Sequence, residues 1–153
     1  MTHVHTYEAR ARWEGSTGAG YESYSRAHEL TCPPAEATMS LSGDPAFRGD
    51  AGRLNPEQLL LAAASSCQLL SFLAVAARAR VDVVAYADRA SARMPEDDKP
   101  LRITEITLRP VITVRGDASD ERLRHLVEVA HRECFIANSV SSEITIEPTF
   151  ERG

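Results

Sequence analysis

The stretch "NPEQLLLAAASSCQLLSFLA", Asn55 to Ala74, limits the fold more than any other part of the chain. Asn55 is a good N-cap, Pro56 suits the first helical position, and Glu57 complements the positive end of the helix dipole. The pattern predicts a helix continuing to about Arg80, with Arg78 and Arg80 supplying the charge its C-terminal end prefers. Leu59, Leu60, Leu61, Leu69, Leu70, Phe72 and Leu73 put apolar side chains on every side. Such a helix is expected to be central and buried. Because Arg78 and Arg80 close the longest apolar run, no membrane span is expected.

The remaining chain has to cover that helix, and it reads mostly as strand. "HTYEARARWEG" alternates Tyr7, Ala9, Ala11 and Trp13 against Glu8, Arg10, Arg12 and Glu14, the period of a strand. "STGAG" is turn material, "YESYSRAHELTC" resumes as a second strand, and "EATMSLSG" suits a short third. Gly43 to Leu54 is rich in Gly, Asp and Pro and reads as a surface loop. After the helix, "VDVVAYADRASARM" and "LRITEITLRPVITVRG" are strand-like segments joined by the turn "PEDDKP". In the second, Leu101 and Ile103 share one parity and Ile106, Leu108, Ile112 and Val114 the other. The switch predicts a bulge near Thr104 and Glu105, and Pro110 limits pairing on one side. Ser119, followed by Asp120 and Glu121, starts a second helix whose apolar face carries Leu123, Leu126, Val127, Ala130 and Cys134. "SSEITIEPTFERG" closes with a strand. The predicted order is β-β-β-α-β-β-α-β, an α+β fold with an antiparallel sheet and two central helices.

At 153 residues the chain suits a single domain, 1–153, with a core needing no staples. Its 43% hydrophobic and 25% charged residues fit a soluble protein, and a net charge of -5 with no basic run argues against nucleic acid. The first fifteen residues lack the apolar core of a leader, so a cytoplasmic location is expected. The cysteines are Cys32, Cys67 and Cys134. An odd number without a C-x-x-C does not read as a secreted disulfide framework or a zinc ribbon. Taken singly, each reads as a small buried hydrophobe, because reactivity needs a nearby cation or helix N-terminus as well as access.

At "AHRECFIANSV" His131 and Cys134 are three apart on one helix face. Together with "NPEQLLLAAASSC", this segment resembles the OsmC/Ohr family of thiol-dependent hydroperoxide reductases. The shared features are Asn-Pro-Glu, a Leu- and Ala-rich helix with a cysteine ten positions after the glutamate, and a later His-x-x-Cys. "ARWEG" and "VVAYADRASARM" are also similar to the broader OsmC-like branch, so the likeness spans nearly the whole chain.

The resemblance implies an intertwined homodimer with active sites at the subunit interface. It implies Cys67 as the thiol that attacks peroxide and Cys134 as the thiol that resolves the sulfenic acid into a disulfide. A dithiol reductant, of lipoyl type among others, then restores the pair, and no cofactor is required. The resemblance also implies an arginine, held by Glu57, that offsets the cost of a buried thiolate. Helix geometry adds that ten residues advance about 15 Å, so a Glu57 serving this site comes from the partner chain. The family's arginine lies in the first hairpin, where "STGAG" has none. Arg12, Arg26 and Arg53 are the candidates, and Arg26 in "YSRAHEL" is favoured because it follows the turn. Phe135 also stands where the organic-hydroperoxide branch favours proline. Two other functions fit the residues: an OsmC-like small-molecule binding protein whose cysteines only pack, and a zinc site of Cys67, His131 and Cys134.

Overall fold

A computed structural model describes all 153 residues. The chain forms two compact units, Met1–Leu59 and Leu60–Gly153, with the boundary inside the first turns of the long helix. In the first unit β1 (Arg10–Arg12), β2 (His28–Thr31) and β3 (Thr38–Leu41) pair antiparallel in that order. All three predicted strands are present, but the first two are much shorter than the alternation suggested. Residues 21–26 fold back on themselves because Arg26 gathers the carbonyls of Tyr21 and Tyr24. The loop after β3 holds a 3-10 turn, Pro45–Phe47, capped by the Asp44 carboxylate. Gly49 approaches Gly43 so closely that a Cβ there would lie 1.6 Å from the Gly43 oxygen, so only glycine fits. Asn55 caps the helix reciprocally: its side chain accepts from the Gln58 amide at 2.9 Å and the Gln58 side chain accepts from its N–H at 3.0 Å.

The helix itself, α1 (Pro56–Arg78), runs unbroken for 23 residues. It ends where Arg80 turns left-handed (φ 58°) and Val81 N–H bonds back to the Ala76 carbonyl. Two expectations for it need correction. The charged residues fall at its end rather than inside it, so by length and composition it is long and apolar enough to cross a membrane. It is also not buried on every side. Ala64, Gln68, Phe72, Val75 and Ala76 are buried, whereas Ala62, Ser66, Leu70, Leu73, Ala74 and Ala77 lie exposed along the other side.

In the second unit the strand segments break in step. β4 (Asp82–Asp88) and β5 (Ser91–Arg93) come from the first, and β6 (Glu105–Leu108) and β7 (Pro110–Arg115) from the second. β8 (Glu143–Ile146) and β9 (Thr149–Arg152) come from the last. Each segment passes from one sheet, β5-β6-β8, to another, β4-β7-β9, at a common corner. Pro110 and Pro148 have no N–H for a continuous ladder, and the Asp88 carboxylate takes the Arg109 N–H there at 2.6 Å. At Pro110 only β4 pairs, as its missing donor requires. The predicted bulge is misplaced: Ile103 precedes β6, and the register shift lies between Val83 and Ala85 of β4. The sheets are mixed rather than antiparallel, because α2 (Asp120–Glu133) is a crossover that returns the chain to pair β8 with β6 and β9 with β7 in parallel.

Ser119 caps α2 by accepting the Arg122 N–H at 3.1 Å. Leu123, Leu126, Val127 and Ala130 of α2 join Phe72, Val75 and Ala76 of α1 and Ile112 and Val114 of β7 in one core. Ala64 packs with Ile103, Ile106 and Leu108 in another.

Candidate active site

The same helix pairing that builds the core brings the two cysteines of the second unit together. Ser71 Oγ donates to the Ala130 carbonyl at 2.7 Å, and Gln68 Nε2 to that of Val127 at 3.4 Å. These bonds tie the middle of α1 to the end of α2, where Cys134 is the C-cap. Cys67, one residue before Gln68, is a hydrogen-bonding neighbour of Cys134, and both are free thiols. Their environments differ: Cys67 is half-buried, whereas Cys134 is only 1% exposed. Burial pushes the Cys134 thiol above its ordinary value. The Ala137 N–H, which donates to Cys134 Sγ at 3.5 Å, pulls it part of the way back, and the neighbouring Cys67 raises it again.

Cys67 opens onto a largely apolar cavity of about 520 Å³, lined also by Leu70, Ser71, Ala74, Phe135 and Asn138. Arg78 and Glu133, paired at 2.6 Å, belong to the same wall. Phe135, noted in the sequence only as a departure from proline, is 80% exposed and forms part of this wall. His131 does not join the thiols as a ligand: it lines a separate cavity with Arg124, Val127 and Glu128. No group of three or more His, Cys, Asp or Glu side chains is placed to hold a metal ion, which corrects the zinc reading.

Beside the thiols lies a polar layer that the sequence reading missed. Asp88, at the end of β4, accepts from Ser65 Oγ at 2.5 Å as well as from the Arg109 N–H. Tyr86, two residues earlier on the same strand, has its hydroxyl buried without a partner. Burial, then Asp88 and Cys134, push that phenol far above its ordinary value. Strand alternation places Tyr86 and Asp88 on one face, but nothing in the sequence signalled that this face looks toward the thiols.

The other candidates belong to the first unit. Glu57 is half-buried at the start of α1 and has no salt-bridge partner. Because α1 is unbroken, the ten residues from Glu57 to Cys67 advance about 15 Å, as helix geometry required. The three arginines are now distinguishable. Arg12 is paired with Glu14 at 2.7 Å, and Arg53 with Asp50 at 3.7 Å and with Ser40 Oγ. Arg26 has no carboxylate. Its guanidinium bonds the carbonyls of Tyr24 and Tyr21 and stacks 3.7 Å and 4.6 Å from the centres of their rings. It lines a cavity of about 310 Å³ together with Trp13, Tyr24, Ser42, Gly43 and Pro56, the neighbour of Glu57. Arg26 is therefore a fixed cation without a counter-charge at the end of the unit where α1 begins.

A thiol pair on two packed helices, one sulfur buried and one open to an apolar cavity, defines a class of small α+β proteins. The OsmC-like protein family matches residues 49–149, and the chain belongs to that family. An OsmC-like protein of unknown function from Vibrio cholerae O1 biovar eltor is 28% identical, with a TM-score of 0.84 over 95% of this chain and 99% of that one. An organic hydroperoxide resistance protein from Elizabethkingia anophelis has a TM-score of 0.72 at 18% identity, with both chains fully covered. OhrB, the organic hydroperoxide resistance protein of Bacillus subtilis, has a TM-score of 0.63 at 22% identity over 96% of this chain and 98% of that one. These last two likenesses establish shared fold. A search of curated proteins returned no match.

Proposed function

We propose that this chain, acting as one OsmC-like domain, is a cytoplasmic thiol peroxidase that reduces organic hydroperoxides or hydrogen peroxide. The observation that carries the reading is the thiol pair, with Cys67 open to an apolar cavity and Cys134 held behind it. The Cys67 thiolate attacks a peroxide oxygen, the O–O bond breaks, and the alcohol or water leaves, giving a sulfenic acid at Cys67. Cys134 condenses with it, releasing water and forming the disulfide. A dithiol, such as a lipoyl-type thiol whose hydrocarbon chain suits the apolar cavity, then restores both thiols by exchange.

The cation is assigned to Arg26 and its orienting carboxylate to Glu57, both from a second copy of the chain. The exposed apolar side of α1 supports that assembly, since Leu70 (64% exposed) and Leu73 (39%) are side chains a monomer gains little by exposing. Arg26 suits the role because its planar head is fixed by two carbonyls and two rings and no acid neutralises it. Replacing Cys67 with serine is expected to abolish peroxide consumption in the presence of a dithiol. Undiminished turnover by Cys67→Ser contradicts the assignment and favours the alternative, an OsmC-like small-molecule binding protein, to which the apolar cavity of about 520 Å³ also lends itself.

A further inference from the structure

Three buried side-chain atoms of the second unit have no hydrogen-bond partner: Gln68 Oε1, Tyr86 Oη and His131 Nδ1. Gln68 is anchored through its amide nitrogen, and His131 lines a cavity away from the thiols. Tyr86 is different. Its ring packs on the α1–α2 core with its centre 6.0 Å from that of Phe72, and its hydroxyl lies within charge range of Cys134 and Asp88. Asp88 already accepts from Ser65 and Arg109, and the phenol proton goes to neither it nor the backbone. An unpaired buried hydroxyl is a standing cost to the fold, which an acceptor that appears only during a reaction cycle would relieve.

Such an acceptor arises at Cys134. Cys67 is the sulfur that opens to the cavity and Cys134 is sealed behind it, so a reductant can reach only Cys67 in the disulfide. Building on the cysteine-pair reading above, we propose that Tyr86 is a positioning residue for the resolving thiol: its hydroxyl donates a hydrogen bond to the Cys134 thiolate as the disulfide is reduced. One thiolate of the dithiol attacks Cys67 Sγ and forms a mixed disulfide. The Cys67–Cys134 bond breaks, and its electron pair leaves on Cys134 Sγ. Tyr86 Oη–H and the Ala137 N–H, 3.5 Å from that sulfur, donate to the anion in a pocket that water does not enter. The reductant's second thiol gives up the proton that Cys134 takes. As a thiolate it then attacks its own sulfur in the mixed disulfide, releasing Cys67 as a thiolate and leaving the reductant oxidised. A stabilised leaving thiolate departs faster, so the hydroxyl acts on reduction and not on the attack of Cys67 on peroxide. The groups facing the phenol are Asp88 on its own strand and Cys134 after α2, with Cys67 on α1 beyond Cys134.

The two half-reactions separate this role from a structural one. Full-length wild type and Tyr86→Phe are oxidised with one equivalent of an organic hydroperoxide in one stopped-flow series, and the disulfide forms are reduced with dithiothreitol in another. Tyr86→Phe is expected to be oxidised at the wild-type rate and reduced about tenfold more slowly, the scale of a lost hydrogen bond to an ionised group. Placing 3-fluorotyrosine at position 86, which keeps the shape and makes the phenol a stronger donor, is expected to reduce at or above the wild-type rate. Reduction of Tyr86→Phe at the wild-type rate overturns the assignment while leaving the cysteine pair intact, and equal slowing of both halves overturns it in favour of a structural role. Should Tyr86→Phe not fold, slower reduction of the fluorinated protein overturns it alone. A wild type that forms no Cys67–Cys134 disulfide overturns both this inference and the reading it rests on.

Discussion

Two residues of α1, two positions apart, test whether its faces do different jobs. Phe72 is fully buried in the α1–α2–β7 core, whereas Leu70 is 64% exposed. Truncating Phe72 to alanine removes a ring with no route for water to fill the space, a loss of about 3–5 kcal/mol for a buried aromatic. For a chain of this size each kcal/mol moves the melting temperature by about 2–4 °C, so Phe72→Ala is expected to lower it by about 6–20 °C. That drop should be the same at every protein concentration. Leu70→Ala should change the stability of a lone chain by no more than about 0.5 kcal/mol. Against a second copy the account differs. Burying a leucine contributes about 1.5–3 kcal/mol, and about two-thirds of that is still available at Leu70. Two-fold symmetry counts it twice, giving about 2–4 kcal/mol and a dimer dissociation constant weakened about 30- to 700-fold. Sedimentation and thermal melts across a dilution series measure both effects. Leu70→Ala destabilising as much as Phe72→Ala, equally at all concentrations, refutes the two-faced helix; unchanged self-association refutes the pairing.

Three further predictions follow from the site and its supports. Arg26→Ala should sharply lower the rate of Cys67 oxidation while Arg12→Ala does not, and Arg26→Lys should fail to restore it because an ammonium cannot reproduce the planar grip on two carbonyls; stopped-flow oxidation rates decide. Because the Cys134 thiol is raised in the folded state, its contribution to stability is complete below the unfolded thiol value of about 8.5 and is lost as pH rises through the higher folded value. Urea melts from pH 7 to 10 should therefore show stability falling above about pH 8.5, less steeply in Cys134→Ala. Gly49→Ala should cost at least about 1–3 kcal/mol, since the new Cβ meets the Gly43 backbone rather than a side chain that can swing away; equilibrium denaturation measures it.

The parts of the fold that follow one local rule were legible in the sequence. Asn55 and Ser119 start the two helices where their capping chemistry said, and the i, i+3, i+4 spacing of Leu123, Leu126, Val127 and Ala130 named a buried face correctly. Long-range geometry was not. The common corner at Arg89, Arg109 and Glu147 depends on three segments bending together, and each alone reads as a continuous strand. The run of leucines in α1 could not say which of them face the core, because an all-round apolar helix carries no phase. Cys67 and Cys134 could be paired by resemblance, and the helix packing brings them together. Tyr86 stayed hidden because a tyrosine in an alternating strand is ordinary. Only the fold shows its hydroxyl to be buried and unpaired beside a thiol.

The central claim is that Cys67 and Cys134 work as one redox pair, and peptide mass spectrometry after one equivalent of organic hydroperoxide tests it most directly. The account predicts that the protein loses two hydrogens and that a Cys67–Cys134 linked peptide appears, with Cys32 still alkylatable as a free thiol. Cys67 carried on to sulfinic acid with Cys134 still a thiol, or no change at Cys67 at all, would contradict it.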